Sequence, residues 1–161
     1  MFRKVFGTII LGAALAACGQ PGAPATDAAA PATASVNVIE GVTPEMWSVN
    51  GARFADGAFA VERNGTVAVS NPAFPVERGD VYRADITINA SSAGPVSLFI
   101  TNGCGTTDVD QSRIDYSVTA GENTLSVGHA FSRSANCALF TIAPTGGPMT
   151  FQLTQAAILR N

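Results

Sequence analysis

The sequence predicts an all-β domain, built as a two-sheet antiparallel β-sandwich. Short runs of β-branched and aromatic residues are separated by Gly, Asn, Asp or Pro, at the spacing of about eight to twelve residues that is typical of a sandwich. Residues 82–88 alternate between apolar and polar side chains, as a half-buried strand does. Beyond the first seventeen residues no window shows the apolar period of a helix. We count eight or nine strands in about 120 residues.

The N-terminal segment has the form of an export signal. Arg3 and Lys4 precede an apolar stretch of thirteen residues, Val5–Ala17, which is too short to span a bilayer as a helix. The letters LAAC, which end at Cys18, resemble the lipobox of bacterial lipoproteins. The resemblance implies cleavage before Cys18 and attachment of diacylglycerol and an N-acyl chain such as palmitate to its sulfur and amine. An ordinary secreted protein cut near Ala17 and an uncleaved anchor helix are the alternatives.

The same resemblance implies a location and a domain plan. Gly19, where an aspartate favours retention at the inner membrane, points to an outer-membrane lipoprotein that faces the periplasm or the cell surface. Residues 18–36 are rich in Ala, Pro and Thr and have almost no large apolar side chain to bury, so we expect them to form a disordered tether. The predicted plan is a signal peptide at 1–17, the lipidated tether at 18–36 and the β-sandwich at 37–161.

Charge limits the partners of the mature chain. Removal of the signal leaves seven arginines, no lysine and twelve carboxylates, a net charge of −5. Nucleic-acid binding needs a clustered basic face, and this composition cannot supply one.

The cysteines favour a disulfide once Cys18 is assigned to lipid. Cys104 and Cys137 remain, an even pair in an oxidising compartment. A metal site is the alternative, but two cysteines thirty-three positions apart with a single histidine make a poor zinc site.

Two local patterns place particular strands and turns. Asn64-Gly65, between FAVER and TVAVS, predicts a two-residue hairpin turn of type I′. The alternation in DVYRADITINA predicts that Tyr82 faces the core, and RIDYSVT predicts the same for Tyr116.

The stretch PVERGDVYRADITINASSAGPVSLFIT is similar to family-4-like carbohydrate-binding modules, in which a turn glycine leads into a long strand with a tyrosine and then into a second apolar strand. VTAGENTLSVGHAF and CALFTIA continue the same order. These modules are jelly rolls of the galactose-binding-like superfamily. The resemblance implies a non-catalytic binding module and carbohydrate as its ligand.

Ligand contacts are predicted in the polar stretch TNGCGTTDVDQSR. The disulfide would bring this loop to SRSANC, and fixed amides, carboxylates and guanidinium groups suit sugar hydroxyls. The predicted ligand residues are Asn102, Asp108, Asp110, Gln111, Arg113 and Asn136. A plain solvated loop is the main alternative. A structural calcium ion at Asp108 and Asp110 is the weaker one, since the further oxygen ligands of a calcium loop are missing.

Trp47 and His129 each allow two interpretations. Trp47 either closes the sandwich core or offers an exposed platform to a sugar ring, so it joins the predicted ligand residues. His129 lies on an apolar alternating face, which favours a half-buried, hydrogen-bonded histidine. A Ser-His-Asp site would need His129 beside one particular serine.

Three classes of function remain. The first is a membrane-anchored envelope lipoprotein with a carbohydrate-binding module. The second is a structural or protein-interaction lipoprotein, which includes inhibitors of hydrolases. An enzyme is the third and is not expected, because no nucleophile motif accompanies the single histidine. No cofactor, and no metal other than the calcium alternative, is expected.

Overall fold

The computed structural model describes residues 35–69, 74–102 and 109–161. These residues form ten strands: β1 Val36–Glu40, β2 Trp47–Ala55, β3 Ala58–Val69, β4 Phe74–Val76, β5 Val81–Ala90, β6 Gly94–Asn102, β7 Gln111–Val118, β8 Gly121–Ala130, β9 Ala135–Pro144 and β10 Met149–Arg160. A single 3-10 turn, Pro44–Met46, precedes β2 in this part of the chain. No helix in the described ranges is long and apolar enough to cross a membrane.

The strands form two facing antiparallel layers that are joined through β3. The hydrogen-bonded order is β7-β6-β9-β3-β10-β5-β8, while β1 pairs with β10, β2 with β3 and β4 with β9. The two ends of this order meet, because β8 contacts both β6 and β7. The predicted all-β antiparallel sandwich of jelly-roll type is therefore confirmed.

Strand β3 passes from one layer to the other. Its first half pairs with β10, where Phe59 lies opposite Phe151, and its second half pairs with β9, where Val67 lies opposite Ile142. The bend between the halves is at Asn64, whose φ is 65°. The predicted hairpin turn at Asn64-Gly65 is therefore wrong, since both residues lie inside β3.

The hairpin turn lies eight residues earlier, at Asp56-Gly57. It joins β2 to β3, and both residues have positive φ, 53° and 76°. That geometry at both central positions is the requirement of a type I′ turn. The structure has ten strands, where the sequence predicted eight or nine. FAVER and TVAVS form the single strand β3, which lowers the number, but short strands such as β4 raise it.

The core lies between the layers and follows the predicted alternation of β5. Tyr82, Ala84, Ile86 and Ile88 are each at most 2% exposed. They belong to one core cluster with buried residues of β6 and β9, including Leu98 and Phe140. Tyr116 is only half-buried: it packs against the core, but β7 has a backbone ladder with β6 alone among the described strands, so the tyrosine lies at the edge of the layer.

The first and last strands lie side by side. Val36 of β1 is opposite Arg160 of β10, and Ser35 Oγ donates a hydrogen bond of 2.6 Å to Asn161 Oδ1. The chain thus enters and leaves the sandwich at the same end.

Several predictions fall outside the described residues. They are the signal peptide of residues 1–17, the lipid site Cys18 and the tether as far as residue 34, together with Cys104 and Asp108.

Candidate functional site

The structure brings together two of the predicted ligand residues, Asn102 and Asp110. The Asp110 N–H donates to Asn102 Oδ1 at 2.6 Å, and the Asn102 N–H donates to the Asp110 carbonyl at 3.0 Å. Asn102 is 5% exposed. Its amide oxygen therefore holds the chain where it enters β7 and is not free to meet a sugar.

The other predicted ligand residues lie on different surfaces. Gln111 and Arg113 are exposed on β7, where the Arg113 guanidinium lies 5.3 Å from the centre of the Phe99 ring and 2.7 Å from Asp115 Oδ1. Asn136 is exposed at the start of β9, beside an open depression that Arg78 also lines. Gln111, Arg113 and Asn136 do not share a pocket that is lined by described residues alone.

Trp47 is a core residue. It is 7% exposed, and its ring packs at 6.2 Å from the rings of both Phe59 and Phe140. Its indole Nε1 is buried and has no hydrogen-bond partner among the described residues. The core interpretation holds, and the prediction of Trp47 as a sugar platform is wrong because no face of the ring is open.

His129 lies at the centre of a hydrogen-bonded chain of side chains. Its Nδ1 is 2.8 Å from Ser112 Oγ, and its Nε2 is 2.9 Å from Asp110 Oδ1. The imidazole also packs edge-on against Phe131, at 4.5 Å between ring centres. The half-buried, hydrogen-bonded histidine is as predicted.

The sequence did not indicate that Ser112 and Ser132 belong to the hydrogen-bonded network around His129. Ser132 donates to Asp110 Oδ2 from its backbone N–H at 2.7 Å and from its hydroxyl at 2.8 Å. Ser112 shares one alternating face of β7 with Ile114, Tyr116 and Val118, of which Val118 is buried and Ile114 is 40% exposed. A polar residue in this otherwise apolar row is the signal that could have marked Ser112 as a partner for a partly buried polar group.

These contacts shift the acidity of Asp110. Partial burial raises its pKa, but the hydrogen bonds from Ser132 and the nearby His129 outweigh that effect and lower it. Asp110 is therefore ionised over a wider pH range than a free aspartate.

A second set of hydrogen bonds joins β7 and β8, the strands that hold Ser112 and His129. The Tyr116 hydroxyl accepts a hydrogen bond from the Ser126 N–H at 3.1 Å and donates to the Ser126 carbonyl. The edge between β7 and β8 is thus closed by side chains rather than by a backbone ladder.

A groove of about 380 Å³ lies on the layer formed by β5, β8 and β10. Its polar lining includes Asp85, Thr87, Thr124 and Gln155, and the segment 40–42 after β1 borders it. No aromatic side chain lines it among the described residues.

The groove is built on a network around Thr87, which is 7% exposed. The Thr87 hydroxyl lies 3.4 Å from both Thr124 Oγ1 and Gln155 Oε1, and its carbonyl accepts a hydrogen bond of 3.1 Å from Thr154. A shift of register in β10 between Leu153 and Gln155 lets both Thr154 and Gln155 reach this network. The two 3.4 Å distances are longer than an ordinary O–H···O hydrogen bond, so these side chains form a loose polar cluster on the floor of the groove.

Asp85 is one of the two carboxylates that line the groove; the other is Glu40. The Asp85 carboxylate forms an ion pair of 2.8 Å with Arg83. Burial raises the pKa of Asp85, while hydrogen bonds from Arg83 and Ser126 lower it by more. Asp85 is therefore ionised near neutral pH and is compensated by the Arg83 guanidinium.

A metal site is not formed in the described part of the chain, where no three His, Cys, Asp or Glu side chains converge. Both oxygens of Asp110 already accept hydrogen bonds. The calcium alternative also needs Asp108, which lies outside the described residues.

The sandwich is similar in fold to solved carbohydrate-binding modules. A solved family-4 carbohydrate-binding module has a TM-score of 0.51 and 14% identity, over 73% of this chain and 92% of that one. A Clostridium thermocellum xylanase 10B structure, with CBM22-1 and GH10 modules and bound xylohexaose, has a TM-score of 0.56 and 14% identity. The match covers 78% of this chain but 28% of that one. At these identities the likeness establishes the fold.

An arabinose-bound GH51 α-L-arabinofuranosidase is also similar, with a TM-score of 0.51 and 14% identity over 76% of this chain and 25% of the enzyme. No family model and no curated protein matches the sequence.

Proposed function

We propose that the sandwich is a carbohydrate-binding module, and that the groove on β5, β8 and β10 is its ligand site. The observation that carries the proposal is the cluster of Thr87, Thr124 and Gln155 beside the Asp85 carboxylate in one groove. Sugar hydroxyls need hydrogen-bond donors and acceptors grouped in one concave site, which this cluster supplies. The likeness in fold to modules that bind glycans supports the same function.

The charge of the groove favours a neutral glycan. Asp85 and Glu40 both line it, and Asp85 is paired with Arg83 at 2.8 Å. The groove therefore offers no unpaired arginine to the acidic groups of a polyuronate or sulfated chain, whereas sugar hydroxyls can donate to its carboxylates.

Affinity gel electrophoresis of the purified protein tests this proposal. The gels contain xylan, mixed-linkage β-glucan, peptidoglycan fragments or pectate, and binding slows migration. Gln155→Ala and Thr124→Ala remove exposed groups of the groove, and each should weaken retention about tenfold, as the loss of one or two hydrogen bonds does. Glu122→Gln, on the same layer but outside the groove lining, is the matched control and should bind as wild type. Absence of retention on every neutral glycan would overturn the proposal.

We propose further that lipid on Cys18 anchors the chain in the outer membrane, with the domain facing the periplasm or the cell surface. Support comes from the signal-like residues 1–17 and the lipobox letters that end at Cys18. Two or three acyl chains, at about 0.8 kcal/mol for each buried methylene, hold a small domain durably at a bilayer.

A protein partner is the second candidate. Strand β2 pairs with β3 alone within the described ladders, and it exposes 42% of Val49 and 40% of Phe54. An edge strand with exposed apolar side chains suits addition of a partner strand. A structural or inhibitory lipoprotein becomes the better proposal if the glycan assays are negative.

A further inference from the structure

Ser112, His129 and Asp110 are hydrogen-bonded in the order that activates a serine hydroxyl. An ionised carboxylate can only accept hydrogen bonds, so His129 carries its proton on Nε2, 2.9 Å from Asp110 Oδ1. In the neutral ring, Nδ1 is then the acceptor. It lies 2.8 Å from Ser112 Oγ, which must donate. The imidazole is thereby aligned to take the hydroxyl proton.

The carboxylate that sets this alignment is itself fixed. Two hydrogen bonds from Ser132 hold Asp110 Oδ2, and the backbone of Asp110 is paired with Asn102. The side chains of His129 and Asp110 are 9% and 15% exposed, so little water competes for the bond between them. Such shielding strengthens the stabilisation of an imidazolium by the carboxylate.

The geometry points to Ser112 as a nucleophile for acyl transfer from an ester, an activity separate from glycan binding in the groove. Ser112 Oγ bonds to the ester carbonyl carbon while its proton moves to His129 Nδ1. The alcohol then leaves with that proton. Water, deprotonated by His129, attacks the acyl-serine and releases a carboxylic acid and the free hydroxyl. Asp110 is a positioning residue in this scheme.

Surroundings of Ser112 indicate the class of substrate. Ser112 is half-buried on β7, a strand that pairs with β6 alone in the described ladders. An edge strand leaves alternate N–H groups unpaired, and these can hydrogen-bond to a carbonyl oxygen. Val109 and Ile114 lie three positions before and two positions after Ser112 and are 53% and 40% exposed. Exposed apolar side chains this close in sequence favour an ester with an apolar acyl group over one with a charged acyl group.

Labelling of the full-length protein with a fluorophosphonate tests the inference. The probe forms an Oγ–P bond and loses fluoride, as an activated serine requires. Mass spectrometry of peptides from the wild-type protein should place one adduct on Ser112. Labelling of another serine instead, or none at all, would overturn the inference without any variant having to fold.

Variants then separate activation from structure. Ser112→Ala should abolish the adduct and the hydrolysis of p-nitrophenyl acetate, while Ser117→Ala, at an exposed position of the same strand, should leave both unchanged. His129→Gln should slow labelling by about a hundredfold or more, the usual effect of losing a general base. Asp110→Glu, which keeps the charge, should retain part of the rate that Asp110→Asn loses. Equal rates for wild type and His129→Gln would refute the mechanism.

Separate variants distinguish the proposed glycan binding from the proposed acyl transfer. Ser112→Ala should still be retarded by the glycan that binds wild type, because Ser112 does not line the groove. Loss of retention in Gln155→Ala should likewise leave labelling of Ser112 unchanged.

Discussion

Gly51 of β2 and Gly65 of β3 touch backbone to backbone at the bend where the two strands pass between the layers. A Cβ on Gly65 would overlap the carbonyl oxygen of Gly51 and come within 2.8 Å of Val61 Cγ1. Gly51 also has a φ of 58° at a register shift in the β2–β3 ladder. The passage between layers therefore depends on two residues without side chains facing each other.

Substitution at this contact should be costly. Gly65→Ala must push two backbones apart, so we expect it to lower the free energy of unfolding by about 2 kcal/mol or more. Urea denaturation of the purified protein measures the loss. Gly128→Ala is the matched control in β8, because its Cβ would meet nothing closer than the Tyr82 carbonyl at 3.7 Å. Equal stability of the two variants would contradict the role of the contact.

The proposed disulfide should stabilise the domain. Asn102 lies opposite Ala138, so Cys104 follows one end of this ladder by two positions while Cys137 directly precedes Ala138. Closing a loop of this length contributes about 4 kcal/mol in the chain-entropy model. We expect the unreduced protein to show no free thiol at these two positions and to melt at a higher temperature than the reduced form. A reactive Cys104 in the unreduced protein would refute the pairing.

The hydrogen bonds to Asp110 should make stability depend on pH. The pKa of Asp110 is lower in the folded state than the 3.8 of the free group. Its contribution is therefore present above about pH 4 and is lost as the pH falls through the folded value. We expect the difference in melting temperature between wild type and Asp110→Asn to be largest above that pH and to shrink toward pH 2. A constant difference would show that the ionised form is not the one stabilised.

Lipidation of Cys18 has a direct test in cells. Cys18→Ser should stop incorporation of labelled palmitate and release the protein from the membrane fraction, because no acyl chain remains to anchor it. Labelling that persists in the variant would place the lipid elsewhere or show another anchor.

Alternation of β5 could be predicted because it is local. A slip of one residue between Tyr82 and Ile88 would bury Arg83 and Asp85, so a single strand contains enough information to choose its face. The turn was harder, since Asn64-Gly65 and Asp56-Gly57 carry the same turn signal. Gly65 closely approaches Gly51 of another strand, a contact that the local sequence around Asn64-Gly65 does not reveal.

Partners of His129 could not be predicted because they come from other elements. Ser112 is on β7 and Ser132 follows β8, and their approach depends on how the two layers meet. The buried position of Trp47 depends in the same way on Phe59 and Phe140. From the sequence, Asp110 and His129 could be identified only as separate features. The hydrogen bond between them depends on how the strands pack in the folded domain.

Adjacency of β1 and β10 makes the domain suitable for circular permutation. Ser35 and Asn161 are already hydrogen-bonded, so a few glycines could join them without strain. New termini could be opened at the exposed turn Asp56-Gly57, which would leave each ladder of the sandwich intact. Such a permuted chain would separate the attachment point of the domain from the end of the sandwich where β1 begins.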